Sequence, residues 1–99
     1  MARPSASSDV FRAIADPTRR QIVDLLAERP RTAGEIAASF DSCQSTVSEH
    51  LAILRRAGLA TYSEHAGRRT YALTPGPLRD AAAWTARWQD GPGGGDGAG

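Results

Sequence analysis

The sequence has no lysine and a single cysteine, Cys43. One thiol excludes an intramolecular disulfide framework and suits a reducing compartment. Missing too is any apolar run approaching the roughly 20 residues that a membrane-spanning helix needs. The opening segment M-A-R-P-S-A-S-S-D lacks the apolar stretch of a secretory leader. A cytoplasmic protein with no membrane partner is expected. Aromatic residues are few, two each of Phe, Tyr and Trp in 99 residues, so one small domain with a thin core is expected. Association between copies is a common remedy at this size. Two histidines and one cysteine give no convergent nucleophile–base pair or carboxylate–histidine cluster, and no glycine-rich loop opens a helix. Neither an enzyme nor a cofactor is expected.

All twelve basic side chains are arginine. Codon usage is a sufficient cause, but the physical consequence holds either way: arginine suits two-pronged contact with planar anions. The formal net charge is only +1, so any binding of a polyanion depends on where those arginines lie.

Along the chain, residues 1–8 are small and polar and read as a flexible arm, residues 9–89 as the folded domain, and residues 90–99 as a disordered glycine-rich tail. A first helix follows Ser8, with Val10, Phe11 and Ile14 as its apolar positions. Asp16-Pro17 ends it and caps a second helix, Pro17 to Glu28, whose Ile22, Leu25 and Leu26 face inwards. Pro30 stops that helix. Thr32 and Glu35 form a capping-box pattern before a short helix carrying Ile36, Ala37 and Phe40.

The most telling stretch is 43–57. Val47, Leu51 and Leu54 make one apolar stripe, while Gln44, Ser45, Ser48, Glu49, Ala52 and Arg56 lie opposite. A solvated helix face usually carries long Glu and Lys side chains. Short polar groups at a helix start suit close approach to another surface, with a DNA major groove as the leading candidate. Gly58 closes the helix. A short capped helix, a turn and a longer helix form a helix-turn-helix. Beyond Leu59 the period shifts towards two: 60–64 and 69–73 read as strands around His65-Ala66-Gly67-Arg68. This hairpin is a wing. A last helix runs from Leu78 to about Gln89, introduced by Pro75 and Pro77. The expected class is mainly α with a small β-hairpin, a winged helix-turn-helix in the order α-α-α-α-β-β-α.

With these residues in view, the chain resembles the ArsR-type (arsenic-repressor-like) family of bacterial winged-helix repressors. The resemblance is carried by A-D-P-T-R-R-Q-I-V-D-L-L at 15–26, S-T-V-S-E-H-L at 45–51, L-R-R-A-G-L at 54–59 and G-R-R-T-Y-A-L at 67–73, and it spans roughly Val10 to Trp88. It implies a homodimer that represses transcription by binding double-stranded DNA at an inverted-repeat operator, through the 43–57 helix and the 60–73 wing. Metal-sensing members place a Cys-x-Cys pair where this chain has Thr32 and Gly34, or Asp and His on the last helix, where it has Asp80 and no His. The resemblance is therefore to the non-metal branch, with no metal site and an effector that the residues do not identify.

Roles can then be assigned. Gln44, Ser45, Ser48 and Glu49 are candidates for base edges, Glu49 having an ion pair with a neighbouring Arg as its alternative. Thr46 either braces the helix-turn-helix or meets a phosphate, and His50 either packs or meets a phosphate. Arg55, at the cationic end of the helix, joins this DNA-facing set, and Arg68 and Arg69 at the wing are candidates for phosphate or minor-groove contact. Arg19 and Arg20 either touch the DNA backbone or are solvated and paired with Asp16 or Asp24. Phe11, Leu78, Ala81, Ala82, Trp84 and Trp88 form an apolar set for dimerisation, with closure of the monomer core as the alternative for the two Trp. Cys43 stands where the family usually caps the reading helix with Ser or Thr. Either Ser42 caps and the helix starts early, or Cys43 caps weakly. A thiol so placed is also a candidate redox group, against the simpler role of an inert small hydrophobe.

Overall fold

A computed structural model describes residues 8–89. The arm expected at 1–8 and the tail at 90–99 lie outside these residues, save Ser8, which is already helical. The elements are α1 (Ser8–Ala15), α2 (Pro17–Glu28), β1 (Arg31–Thr32), α3 (Ala33–Phe40), α4 (Gln44–Arg56), β2 (Ala60–His65), β3 (Arg68–Leu73) and α5 (Gly76–Gln89). The winged helix-turn-helix expected from the sequence is present, with one strand more than foreseen. β1 pairs antiparallel with β3 (Arg31 opposite Tyr71, Thr32 opposite Thr70), giving a three-stranded sheet in the order β1-β3-β2. Two residues are too short to show a period.

Local chemistry accounts for the boundaries. The Asp16 carboxylate accepts hydrogen bonds from the backbone N–H groups of Thr18 (2.7 Å) and Arg19 (3.1 Å) at the start of α2. Those donors, Arg19 foremost, hold the carboxyl below its ordinary pKa. The capping box on α3 is complete: Glu35 N–H donates to Thr32 Oγ1 (3.1 Å) and Thr32 N–H to Glu35 Oε1 (2.9 Å). The turn after α3 uses Asp41 in the left-handed region (φ 54°), which Asp tolerates better than most residues. The wing turns through Ala66-Gly67, both at positive φ (53° and 77°), the pattern of a type I′ hairpin. Each wing strand is thus one residue longer than expected, with His65 opposite Arg68. α5 likewise begins two residues earlier than expected, with Pro77 accommodated in its first turn.

The core gathers the inward stripes of all the helices. Val10, Ala13, Ile22, Leu26, Ile36, Val47, Leu51 and Leu54 pack with Leu59, Ala60, Tyr71 and Ala81. At the end of α4 the backbone closes in a Schellman motif: Leu59 N–H donates to Leu54 C=O and Gly58 N–H to Arg55 C=O, both at 2.9 Å. Leu54 and Leu59 are both fully buried there. Gly58 sits at φ +79°, and a methyl group on it would meet only Pro77 Cγ at an ordinary 3.6 Å. The cost of Gly58→Ala is therefore backbone strain alone, about 1–2 kcal/mol. Thermal unfolding should show a lower Tm, and an unchanged Tm would mean that the motif is not needed to end the helix.

Candidate nucleic-acid interface

The reading helix starts at Gln44, one residue later than 43–57 implied, and ends at Arg56; Cys43 and Ala57 are its caps. Of the two caps considered, Cys43 holds the position, but its side chain makes no capping hydrogen bond. The thiol lies 3.3 Å from Ser45 Oγ and 3.1 Å from Thr46 Oγ1. Those hydroxyls, Ser45 first, together with the backbone N–H groups of Thr46 and Ser45, lower its pKa to about 7. A substantial fraction is therefore the nucleophilic thiolate at neutral pH, and the sulfur is exposed. Sulfur is a poor acceptor, so no side chain caps the first N–H groups of α4 with a hydrogen bond of ordinary geometry.

Gln44, Ser45, Thr46, Ser48 and Glu49 are all exposed on the first turns of α4. Gln44 does not stand straight outwards: Gly34 lies beneath it, and a methyl group there would be 3.5 Å from Gln44 Oε1. The side chain leans on the first turn of α3. Glu49 forms no ion pair with an arginine among the described residues. Ser45 and Thr46 share their hydroxyls with Cys43. His50 is half-buried, its Nδ1 3.4 Å from Arg19 Nη1, which places it in the packing between α4 and α2.

The arginines divide into two groups. Arg19, Arg20 and Arg31 are structural. Arg19 Nε donates to Ala13 C=O (2.7 Å) and Nη2 to Arg12 C=O (3.2 Å), while Nη1 lies 4.0 Å from Asp16 Oδ2. Arg20 Nη1 donates to Ile14 C=O (2.8 Å) and Ala15 C=O (3.2 Å). Both cap the C-terminal carbonyls of α1, a role not anticipated for them, while the pairing with Asp16 considered as an alternative is present for Arg19. Arg31 is buried, with Nε on Leu25 C=O (2.9 Å) and Nη2 on Glu28 Oε1 (2.6 Å). It closes the end of α2. Sequence reading missed it, although Glu28 three residues earlier was a signal.

The second group faces outwards. Arg55 and Arg69 both stack on Tyr62, their guanidinium carbons 4.7 and 4.3 Å from the ring centroid. Arg68 and Arg69 are neighbours on a strand, so they leave opposite faces of the ribbon rather than acting as one tip. Register puts Arg69 beside Glu64 (Nε to Oε2 3.8 Å) on the face that carries Tyr62 and Tyr71. Gln44, Ser48, Glu64, Arg68, Arg69 and the first turn of α3 line one open cleft between the reading helix and the wing. Tyr62, read from sequence only as a strand former, had no signal in its own pattern.

On α1 and α5, Phe11 meets Trp84 edge to face (centroids 5.8 Å apart), and Trp84 meets Trp88 at 6.0 Å. Trp84 is still 45% and Trp88 66% exposed, so they do not close the protomer core. Ala82 is exposed and Leu78 half-buried. Ala81 corrects the expected dimer set: at 5% exposure it belongs to the core of its own chain. Among the described residues, no group of three or more His, Cys, Asp or Glu is placed to hold a metal ion, and no helix is long and apolar enough to cross a membrane.

A short capped helix, a reading helix with a small polar face and an arginine-bearing wing define a winged helix-turn-helix DNA-binding protein. Comparison with known proteins agrees. Residues 16–62 match the bacterial regulatory proteins of the arsR family. The chain is 39% identical over 77 residues to the transcriptional repressor SdpR of Bacillus subtilis, covering 78% of this chain and 86% of SdpR. Its fold is similar to the crystal structure of the ArsR family transcriptional regulator RHA00566 (TM-score 0.78, 32% identity, 91% of this chain and 94% of that one). It is also similar to the solution structure of Mb0332 from Mycobacterium bovis, described as a homodimeric winged helix-turn-helix DNA-binding domain and a possible ArsR-family regulator (TM-score 0.69, 26% identity, 83% of this chain and 78% of that one). The chain belongs to the ArsR family, and it is a DNA-binding transcriptional regulator.

Proposed function

We propose that the protein is a homodimeric repressor of an inverted-repeat operator. The first turns of α4 enter the major groove, the β2–β3 wing follows the adjacent backbone, and Phe11, Leu78, Ala82, Trp84 and Trp88 hold the two copies together. The observation that carries this reading is the cleft in which Gln44 and Ser48 of α4 face Arg69 of the wing, a base-reading edge beside a phosphate-binding one. The N-terminus of α4, without an oxygen cap, adds the positive end of a helix dipole on the same side. SdpR, by its name a transcriptional repressor, and Mb0332, by its description homodimeric, support the sign of regulation and the assembly. Two twofold-related copies would set half-sites about one helical turn apart.

A mobility-shift titration on the DNA upstream of its own coding sequence tests the reading. With Arg55, Arg68 and Arg69 from each protomer meeting phosphates, log K should fall against log salt with a slope of about −5. A protein-docking winged helix has no reason for such dependence, so absence of a shift, or a flat salt response, sinks the proposal.

A further inference from the structure

Tyr62 sits where the end of the reading helix meets the wing, and two guanidinium groups from different elements lie over its one ring. Arg55 comes from the last turn of α4 (4.7 Å), Arg69 from β3 (4.3 Å). Stacking occupies the face of a guanidinium and leaves its five in-plane N–H donors open. Arg55 forms no hydrogen bond or ion pair among the described residues, and Arg69 meets only the Tyr71 hydroxyl and the long 3.8 Å approach of Glu64, which together leave most of its donors open. Arg19 and Arg31 differ in this respect, because short bonds to carbonyls or a carboxylate occupy their edges. The ring packs beside the buried Tyr71, with centroids 5.5 Å apart. A long arginine free in water would lose rotamer entropy on meeting a phosphate, whereas one already laid on a fixed ring loses less.

From this geometry we infer that Tyr62 is a positioning residue for DNA binding: it holds Arg55 and Arg69 together as one phosphate clamp and so couples the reading helix to the wing. The inference rests on the reading that α4 and the wing face DNA. Glu64 belongs to the same device. It lies near enough to keep Arg69 on the ring face, yet it is too distant to engage the guanidinium as tightly as Glu28 engages Arg31.

The test uses the duplex that the wild-type protein enriches from a random-sequence pool, with affinity measured across a range of salt concentrations. Tyr62→Leu should weaken binding roughly 5- to 30-fold, from two exposed cation–π contacts, and Tyr62→Phe should restore most of the loss because the ring is kept. In an Arg55→Ala/Arg69→Ala background, Tyr62→Leu should add no further loss. That readout separates positioning from a general effect on the fold. An equal loss in both backgrounds, or failure of Tyr62→Phe to rescue, overturns the role of Tyr62 while leaving the DNA reading intact. The arginine pair itself should lower the salt slope by about one unit per phosphate contact removed. If it changes neither affinity nor slope, the assignment of this face to DNA falls, and the clamp with it.

Discussion

Arg19→Ala should cost the fold about 2–4 kcal/mol, a large share of the 5–15 kcal/mol that holds a typical domain together. The Arg19 side chain is only 15% exposed, and all three of its guanidinium nitrogens are engaged. Nε and Nη2 satisfy carbonyls at the end of α1, while Nη1 lies 4.0 Å from Asp16 and 3.4 Å from His50 on the reading helix. Hydrogen bonds to a charged group contribute about 1.5–3 kcal/mol each. Water can replace part of the exposed Arg12 contact, which keeps the total below a simple sum. At roughly 4–8 °C per kcal/mol for a domain of this size, thermal unfolding should show a loss of about 8–30 °C. Arg19→Lys should recover less than half, because one ammonium cannot reach α1 and α4 together. A variant melting within a couple of degrees of the parent would show that these four contacts contribute little. Arg20→Ala is the internal comparison: it loses bonds to Ile14 and Ala15 carbonyls that are already exposed to water, and its cost should be smaller.

The contrast between Arg19 and Arg69 shows where sequence reading reached and where it stopped. Apolar spacing located every helix, and short-range chemistry set the caps, because Asp16, Thr32 with Glu35, and Gly58 act within a turn of their own position. The wing was legible from its change of period and from Gly67. What the pattern could not show was the destination of a long side chain. Arg19, Arg20, Arg55, Arg68 and Arg69 look alike in one dimension, yet two cap α1, two lie over Tyr62, and Arg68 joins Arg69 at the cleft. Likewise, Gln44 could be placed at the start of the reading helix, but its lean onto Gly34 depends on how α3 crosses α4. The β1–β3 pairing was hidden for a related reason: its hydrogen bonds join residues some forty positions apart over only two residues of strand.

Trp84→Ala should dissolve the dimer before it disturbs the protomer. Trp84 already packs edge to face on Phe11 and against Trp88, so it is held in place, but 45% of it remains exposed beside an even more exposed Trp88. A preordered aromatic pair with unburied surface has the character of an interface anchor, where truncation costs 2 kcal/mol or more. Because each copy carries the change, the dimer dissociation constant should rise roughly thirtyfold per Trp84 removed, on the order of 10³ for the pair. Within the protomer the same change removes a half-exposed side chain that touches the core only through Phe11, so far-ultraviolet circular dichroism should be unchanged. Operator binding should suffer more than either measurement suggests. Two half-sites engaged by linked copies gain on the order of 10²–10⁴ in avidity, and a monomer forfeits that gain. Sedimentation at decreasing concentration, run beside the mobility shift, separates the steps. The variant should sediment as a monomer where the parent is dimeric, and its operator affinity should recover as protein concentration is raised. Should it remain fully dimeric at the lowest concentration, the α1–α5 aromatic face is not the interface, and its exposed Trp pair needs another partner.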